Sequence, residues 1–358
     1  MSSFVVALDV GGTSMKGGLV TRSGEIIRTD RRATPRDRGP AAVIATIRSF
    51  IDDLAAAGGG TPEGVGLAVP GLVTAEAALY SANIGWRDVP ARDLVPLDIP
   101  VMLGHDVRTG GLAESVLGAG RELSDFLFLP IGTGIAGATI LSGEPYGGSG
   151  GWAGEIGHTP VHPEGEPCAC GQIGCLETYA SASAVARRYS TRAAAPPPSA
   201  PTSPSSSTSA LEPSSAPASS LPPSSPPSTS SATVVPPVSV SAERVAALVA
   251  SGDPLAVEIW DDAVEALSLA LATYTLLLDP SAIVLGGGLA EAGPLLSDPL
   301  AERLGKRLAF RDAPPLRHAA LGMSAGMLGA ALLGWRAAGF TDAGTTWSLD
   351  VLKSPHVA

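Results

Sequence analysis

The chain is poor in cysteine, lysine, asparagine and aromatic residues, and each shortage narrows its chemistry. Its 358 residues include 3 cysteines, all inside EPCACGQIGCLE from Glu166 to Glu177. Three cysteines cannot all pair within one chain. No basic n-region or small-residue cleavage site opens the sequence, since Met1-Ser2-Ser3 leads straight into FVVALDV. No apolar run approaches the ~20 residues needed to span a membrane. The expected location is the cytoplasm, where structural disulfides are rare and clustered cysteines are metal ligands or redox groups. Positive charge is also scarce: the net charge is −11 and the pI about 4.9. A nucleic-acid binder needs a basic face to displace counterions, so that class is excluded. The acidity itself reads as a solvating surface.

Hydrophobic residues make up 45% of the chain, enough for a substantial core, and the length fits two domains or one large one. Residues 193–239 stand apart. They are nearly all Pro, Ser, Ala and Thr, with Glu212 as the one charge. Such a segment cannot offset its ordering entropy and is expected to be a disordered insertion in a surface loop, where added length costs little. It is read as an inert expanded loop rather than a partner-binding one. The rest alternates strands and helices. FVVALDV at 4–10 reads as a central strand, 15–21 and 25–30 as strands joined at Ser23-Gly24, 40–57 as a helix and 64–69 as another buried strand.

Two stretches resemble each other: LDVGGTSMKGGLVTRSGEI from Leu8 and LPIGTGIAGATILSGEP from Leu129. Each is a strand, a Gly-Thr loop, a second strand and a Ser-Gly-Glu turn. The repeat predicts two domains of one topology facing each other. In DVGGTSMK, Gly11 and Gly12 let the backbone bring N–H groups against an anion, and Thr13 adds a hydroxyl donor. The stretch is neither GxGxxG nor the Walker pattern, so a dinucleotide fold and a P-loop do not fit. Asp9 closes the strand, where a carboxylate can hold Mg2+ through water. Lys16, one of three lysines, reads either as a phosphate contact or as a plain surface lysine. Gly132-Thr133-Gly134 is a second such loop, and Gly286-Gly287-Gly288 after AIVL is a third. Three glycine loops past buried strands point to a phosphate-rich ligand held between two domains.

Cys168, Cys170 and Cys175 follow His158, and Cys₃His is a standard structural zinc set. Gly171 and Gly174 permit the winding that brings three sulfurs onto one ion. His162 is a rival fourth ligand. A redox pair wants C-x-x-C at a helix start, and that spacing is absent. Glu155 and Glu177 flank the cluster; they are solvated loop acids, or they grip the paired hydroxyls of a polyhydroxylated ligand.

DVGGTSMK, GEIGHTPV and CACGQIGCLE together resemble the ROK family (repressor, open reading frame, kinase) over nearly the whole chain outside the insertion. The resemblance implies an actin-like (ribonuclease H-like), hexokinase-like α/β fold with two domains around a cleft. It implies a small N-terminal domain over 1–118, completed by a C-terminal helix at 322–338, and a large domain over 119–321 carrying the zinc loop. It implies transfer of the ATP γ-phosphoryl to a sugar hydroxyl, most often the 6-hydroxyl of a hexose. Gly11, Gly12, Thr13, Gly132, Thr133 and Gly134 would meet the ATP phosphates, with Gly286 to Gly288 by the adenosine. Asp106, in GHDVRTGGLAE, would be the catalytic base. Asn83, Glu155, His158 and Glu177 would contact the sugar, with His158 bound to a structural Zn2+ through its other ring nitrogen. His105 stands where the family usually has a sugar-contacting asparagine, which bears on the identity of the sugar more than on the reaction.

Glucose is the favoured acceptor, because Asn83, Glu155, His158 and Glu177 match the glucokinase pattern; other hexoses and N-acetylhexosamines stay open. A homodimer or higher homo-oligomer is the family-level expectation. Two rivals differ in class. A sugar-responsive repressor would carry a helix-turn-helix ahead of the sugar domain, for which a first strand at Phe4 leaves no room. A non-catalytic sugar sensor would have no need of both Asp106 and the DVGGT loop.

Overall fold

The structure is a computed structural model that describes residues 3–194 and 240–348. The insertion expected from 193 therefore lies outside the described residues from 195 onward, and a helix runs through Ala194. Among the described residues no helix is long and apolar enough to cross a membrane.

Elements of the first unit are β1 (Phe4–Val10), β2 (Ser14–Thr21), β3 (Ile26–Ala33), α1 (Pro40–Ala57), β4 (Val65–Val69), β5 (Leu72–Val73), β6 (Ala77–Tyr80), β7 (Arg87–Pro90), α2 (Ala91–Leu94), β8 (Val101–His105) and α3 (Asp106–Leu117). The second unit contributes β9 (Phe126–Pro130), β10 (Ala138–Leu141), β11 (Glu144–Pro145), α4 (Leu176–Ala180), α5 (Ala182–Ala194), α6 (Ala242–Ala250), α7 (Pro254–Leu278), β12 (Ile283–Gly286), α8 (Gly287–Ala290), α9 (Pro294–Arg307), β13 (Leu316–His318) and α10 (Ala325–Ala337).

The two main sheets share one plan. The first runs β3-β2-β1-β4-β8 and the second β11-β10-β9-β12-β13. In each, the opening strand pairs antiparallel with the next in sequence and parallel with the strand that follows the first crossover. The repeat in the sequence is this duplicated plan. Because β1, β4 and β8 are parallel, their carboxyl ends meet at one edge: Asp9, Val69 and His105 stand there. β9 and β12 present Pro130 and Gly286 in the same way.

Strand alternation divides each sheet between two cores. Phe4, Val6, Leu8 and Val10 pack with Val43, Ile47, Phe50 and Leu54 of α1. Val5 and Ala7 face the other way, toward α10. Both faces are covered, so β1 reads as an apolar run broken only by Asp9 near its carboxyl end. Helix α1 starts with Pro40 at its first turn and ends at Gly58. Helix α7 is capped by Asp253, whose carboxylate accepts from the Ala256 N–H, and it turns Ile259, Ala263, Val264, Leu267 and Leu271 into the second core at helical spacing.

The helices after the last strands are exchanged. Helix α3 follows β8 of the first sheet but packs on β9, β10 and β11 of the second; α10 follows β13 of the second and packs on β1, β4 and β8 of the first. The two helices also pack on each other. The contacts demand glycine: a Cβ on Gly66 of β4 would lie 1.8 Å from the Ala330 carbonyl oxygen, and one on Gly329 would lie 2.0 Å from that of Thr109. Near the end of α3 the fully buried Glu114 carboxylate accepts from the N–H groups of Ala119, Ala320 and Leu321 at 2.8, 3.1 and 2.9 Å. One side chain thus joins the two segments by which the chain passes between the units.

Candidate active site in the cleft

A cavity of about 540 Å³ opens at the carboxyl ends of the strands. It is lined from the first unit by Pro70, Gly71, Tyr80, Ser81, Asn83, His105 and Asp106, and from the second by Gly132, Gly134, Trp152, Glu155, His158 and Glu177. All six acceptor-contacting residues expected from the sequence therefore share one space. Asn83 arrives on the turn between β6 and β7, anchored by the buried Trp86. Asp106 is the first residue of α3. Its Oδ1 accepts from the Val107 N–H at 2.8 Å and lies 3.3 Å from His105 Nδ1; Oδ2 has no hydrogen-bond partner among the described residues.

His105 caps α3, with Nδ1 accepting from the Arg108 N–H at 3.4 Å. Burial lowers its pKa, against the pull of the Asp106 charge, so the ring is neutral at pH 7. It also lines a neighbouring cavity of about 560 Å³. Glu177 lies in the first turn of α4 and accepts from the Ile135 N–H at 2.7 Å, which ties it to the Gly132–Gly134 loop. Glu155 Oε2 lies 3.9 Å from His158 Nε2.

His158, Cys168, Cys170 and Cys175 converge, with their ligand atoms all within 4.8 Å of one another. The winding depends on Gly171 and Gly174, at φ 94 and 74, where L side chains are strained. A Cβ on Gly174 would also strike the His162 carbonyl oxygen. Cys168 Sγ lies 3.8 Å from His158 Nδ1, and the sulfurs of Cys170 and Cys175 are 3.7 Å apart. Burial, then the neighbouring thiols, pushes the Cys175 thiol up to about 12. Against burial, hydrogen bonds from Cys170, Thr178 and Cys175 bring the Cys168 thiol down to about 7; one thiolate is favoured at its neighbour's expense, and a bound cation would stabilise all three. His162, the rival ligand, is elsewhere: its ring sits edge-on to Tyr179 with centroids 4.4 Å apart.

Of the three glycine loops, Gly132 and Gly134 line this cavity, whereas Gly11, Gly12, Thr13 and Gly286 to Gly288 are not among its lining residues. Gly11 donates to the Ser14 carbonyl, and Thr34 holds the loop through bonds to Gly11 and Thr13. Gly12, Gly132 and Gly288 each face space in which a Cβ would meet nothing within 4 Å. The third loop is stitched to the second: the Ile131 N–H donates to Gly286, and the Leu289 N–H to Ile131. Gly287, at φ 76, passes so close to Ile131 that no side chain fits. Lys16 Nζ donates to the Met323 carbonyl oxygen at 3.2 Å, just ahead of α10. Asp9 pairs across the sheet with Lys16, and its pKa is raised to about 6 by burial first and then by the Asp106 charge. Two carboxylates that oppose each other in this way suit a divalent cation.

Sequence reasoning missed Trp152, which is 56% exposed and lines the cavity. An exposed tryptophan in a glycine-rich loop directly ahead of GEIGH was the available signal. It also missed Tyr80, Ser81 and the Pro70-Gly71 corner, which carry no motif.

A profile of the ROK family matches residues 5–336. The glucokinase of Halalkalibacterium halodurans is 31% identical over 340 residues, covering 92% of this chain and 93% of that protein. The ROK hexokinase of Thermus thermophilus superposes with a TM-score of 0.71 at 29% identity, over 93% of this chain and 98% of its own. A ROK family glucokinase from Streptomyces griseus, solved in complex with glucose and AMPPNP, gives 0.71 at 26% identity, over 93% and 100%. The fold is thus the actin-like pair of α/β domains around a cleft that the motifs implied. With the match running from the first strand to the last helix, the chain belongs to the ROK family.

Proposed function

We propose that the chain is an ATP-dependent sugar kinase of the glucokinase type, passing the ATP γ-phosphoryl to the 6-hydroxyl of glucose. One observation carries the reading: Asn83, His105, Asp106, Glu155, His158 and Glu177 line a single cavity beside the Gly132–Gly134 loop. The glucokinase names of the relatives agree with it.

Asp106 accepts the proton of the attacking hydroxyl. Its Oδ1 is already engaged, which leaves Oδ2 for the substrate. Asn83, Glu155, His158 and Glu177 orient the sugar. Gly11, Gly12, Thr13 and Gly132 to Gly134 cradle the phosphates, Gly286 to Gly288 border the adenosine, and Lys16 stabilises the loop side of the site. Asp9 would hold Mg2+, which offsets phosphate charge in such transfers. His158, Cys168, Cys170 and Cys175 would hold a structural Zn2+, which fixes the imidazole ring and its tautomer. Closure of residues 1–118 with 322–338 over 119–321 would exclude water. The chain would work in the cytoplasm as a homodimer or larger homo-oligomer.

His105 favours a second reading of the acceptor. It stands between the acceptor cavity and the adjoining cavity of about 560 Å³, so a hexose with a substituent, such as an N-acetylhexosamine, has room to be tested. ATP consumption across a panel of hexoses and N-acetylhexosamines decides. Turnover fastest with glucose is expected; no ATP consumption with any sugar would sink the kinase reading.

A further inference from the structure

We propose that Arg108 is a positioning residue of the acceptor site, a buried guanidinium that ties the helix beginning at Asp106 to the loop carrying Trp152 and Glu155. This rests on the kinase reading for its effect on turnover, but the tie itself does not.

Arg108 is 9% exposed and lies two residues beyond Asp106 on α3. Its Nη1 donates to the carbonyl oxygens of Gly151 and Ala153 at 2.9 and 3.1 Å. Those carbonyls bracket Trp152, and both Trp152 and Glu155 line the acceptor cavity. The loop is YGGSGGWAGE, from Tyr146 to Glu155. Gly148, Gly151 and Gly154 all have positive φ. So glycine-rich a segment has little conformational preference of its own and loses much entropy when ordered. Among the described residues, the two Arg108 bonds are the only hydrogen bonds that reach residues 148–153 from outside the loop.

The charge has a reason to stay buried. Glu155 and Asp106 both lie near enough to favour the charged guanidinium against the cost of burial. The charges of the proposed base and of one proposed sugar contact thus both act on Arg108. A shift of the loop would displace Trp152 and Glu155 together. Behind Arg108 lies the cavity of about 560 Å³, walled also by Thr109, Leu333 and Arg336. A truncated Arg108 would open into that space, and a small free guanidinium ion could enter it.

The test is Arg108→Ala in the full chain, with methylguanidinium as the added probe. The sugar KM should rise about 100-fold, the size of effect a misplaced contact produces, while the KM for ATP stays at the parent value. Millimolar methylguanidinium should restore much of the loss. Trp152 reports on the loop without turnover, because Trp86, Trp260, Trp335 and Trp347 are all buried. Acrylamide quenching of fluorescence should increase in ligand-free Arg108→Ala and fall again with methylguanidinium. Should that variant not fold, Arg108→Lys keeps the charge without the fork, and the same quenching and KM split should appear in reduced form. Parent-like quenching and parent sugar KM would overturn the proposal. So would a uniform loss in sugar KM, ATP KM and kcat with no rescue, which would mark a merely structural arginine. A parent protein that phosphorylated no sugar would sink the kinase reading and leave the quenching test intact.

Discussion

The two sheets follow one plan, yet the segments hung on them differ. Between β3 and β4 of the first unit runs little more than helix α1. The corresponding connection in the second, from β11 to β12, carries the Cys/His cluster, four helices and the Pro/Ser-rich stretch. Between β4 and β8 the first unit inserts a small sheet that delivers Asn83, where the second has only α8 and α9. The difference divides the labour. Elements common to both units, strand then Gly-Thr loop then strand, sit where the phosphates are proposed to bind. Elements unique to one unit bring Asn83, Glu155, His158 and Glu177 to the cavity where the acceptor is proposed to bind. Asp106 belongs to neither class: it heads the exchanged helix, where the halves meet.

The largest expected effect is at that junction. Asp106→Asn should fold and bind sugar but lose about 10²–10⁴-fold in kcat, the range a general base supplies. Calorimetric sugar binding beside steady-state turnover checks it, and parent-rate turnover would remove the base. Next comes the unique side. Cys170→Ser should lose zinc by elemental analysis and lower kcat/KM for sugar roughly 10–100-fold, the scale of a lost supporting shell. The KM for ATP should hold. Native protein without zinc would end the metal assignment.

The shared side is sharpened by three glycines with different neighbours. Gly12 and Gly132 face open space, so Gly12→Ala and Gly132→Ala should keep the parent Tm. Each should raise the KM for ATP roughly tenfold, about one hydrogen bond to a charged group. Gly66→Ala drives a Cβ into the Ala330 carbonyl and should cost about 3 kcal/mol of stability in denaturant titration. Equal Tm losses in all three would show that the loop glycines are packing residues too.

Much of this was legible in the chain. Strand β1 and helix α1 announced themselves through an apolar run, broken only by Asp9, and a Pro-to-Gly span, both local signals. The duplicated plan showed because a strand, a Gly-Thr loop, a second strand and a Ser-Gly-Glu turn recur in the same order. The metal-type cluster showed because its cysteines are the only ones present. The exchange of α3 and α10 left no such mark, since either helix would read as apolar on either sheet. Glu114 looked like any helical glutamate, and its three N–H partners come from residues up to 207 positions away. Arg108 and Trp152 were silent for the same reason: their roles arise from which carbonyls and which cavity the fold brings beside them. Both His158 and His162 were candidates on sequence, and the fold separates them by bringing His158 Nδ1 within 3.8 Å of Cys168 Sγ and turning His162 against the Tyr179 ring.

The smallest effect concerns Asp9, the one shared-side group whose titration can be followed. Its pKa is raised from 3.8 to about 6, mainly by burial and then by Asp106, with Lys16 opposing. The folded state thus holds a proton that the unfolded chain releases near pH 4. Asp9's contribution to stability is fully present below 3.8 and is lost as pH rises through 6. Activity should run the other way, since only the carboxylate can hold a cation. An acid limb in kcat/KM near pH 6 is therefore expected, with no accompanying loss of Tm from this group. Raising Mg2+ should move that limb to lower pH, because metal and proton compete for the same oxygens. Asp9→Asn should lose the acid limb and its Mg2+ response, and should be more stable than the parent at pH 7, by on the order of 2 kcal/mol. An acid limb that ignored Mg2+, or a variant less stable at pH 7, would detach Asp9 from the phosphate side and with it the division between the shared and unique elements.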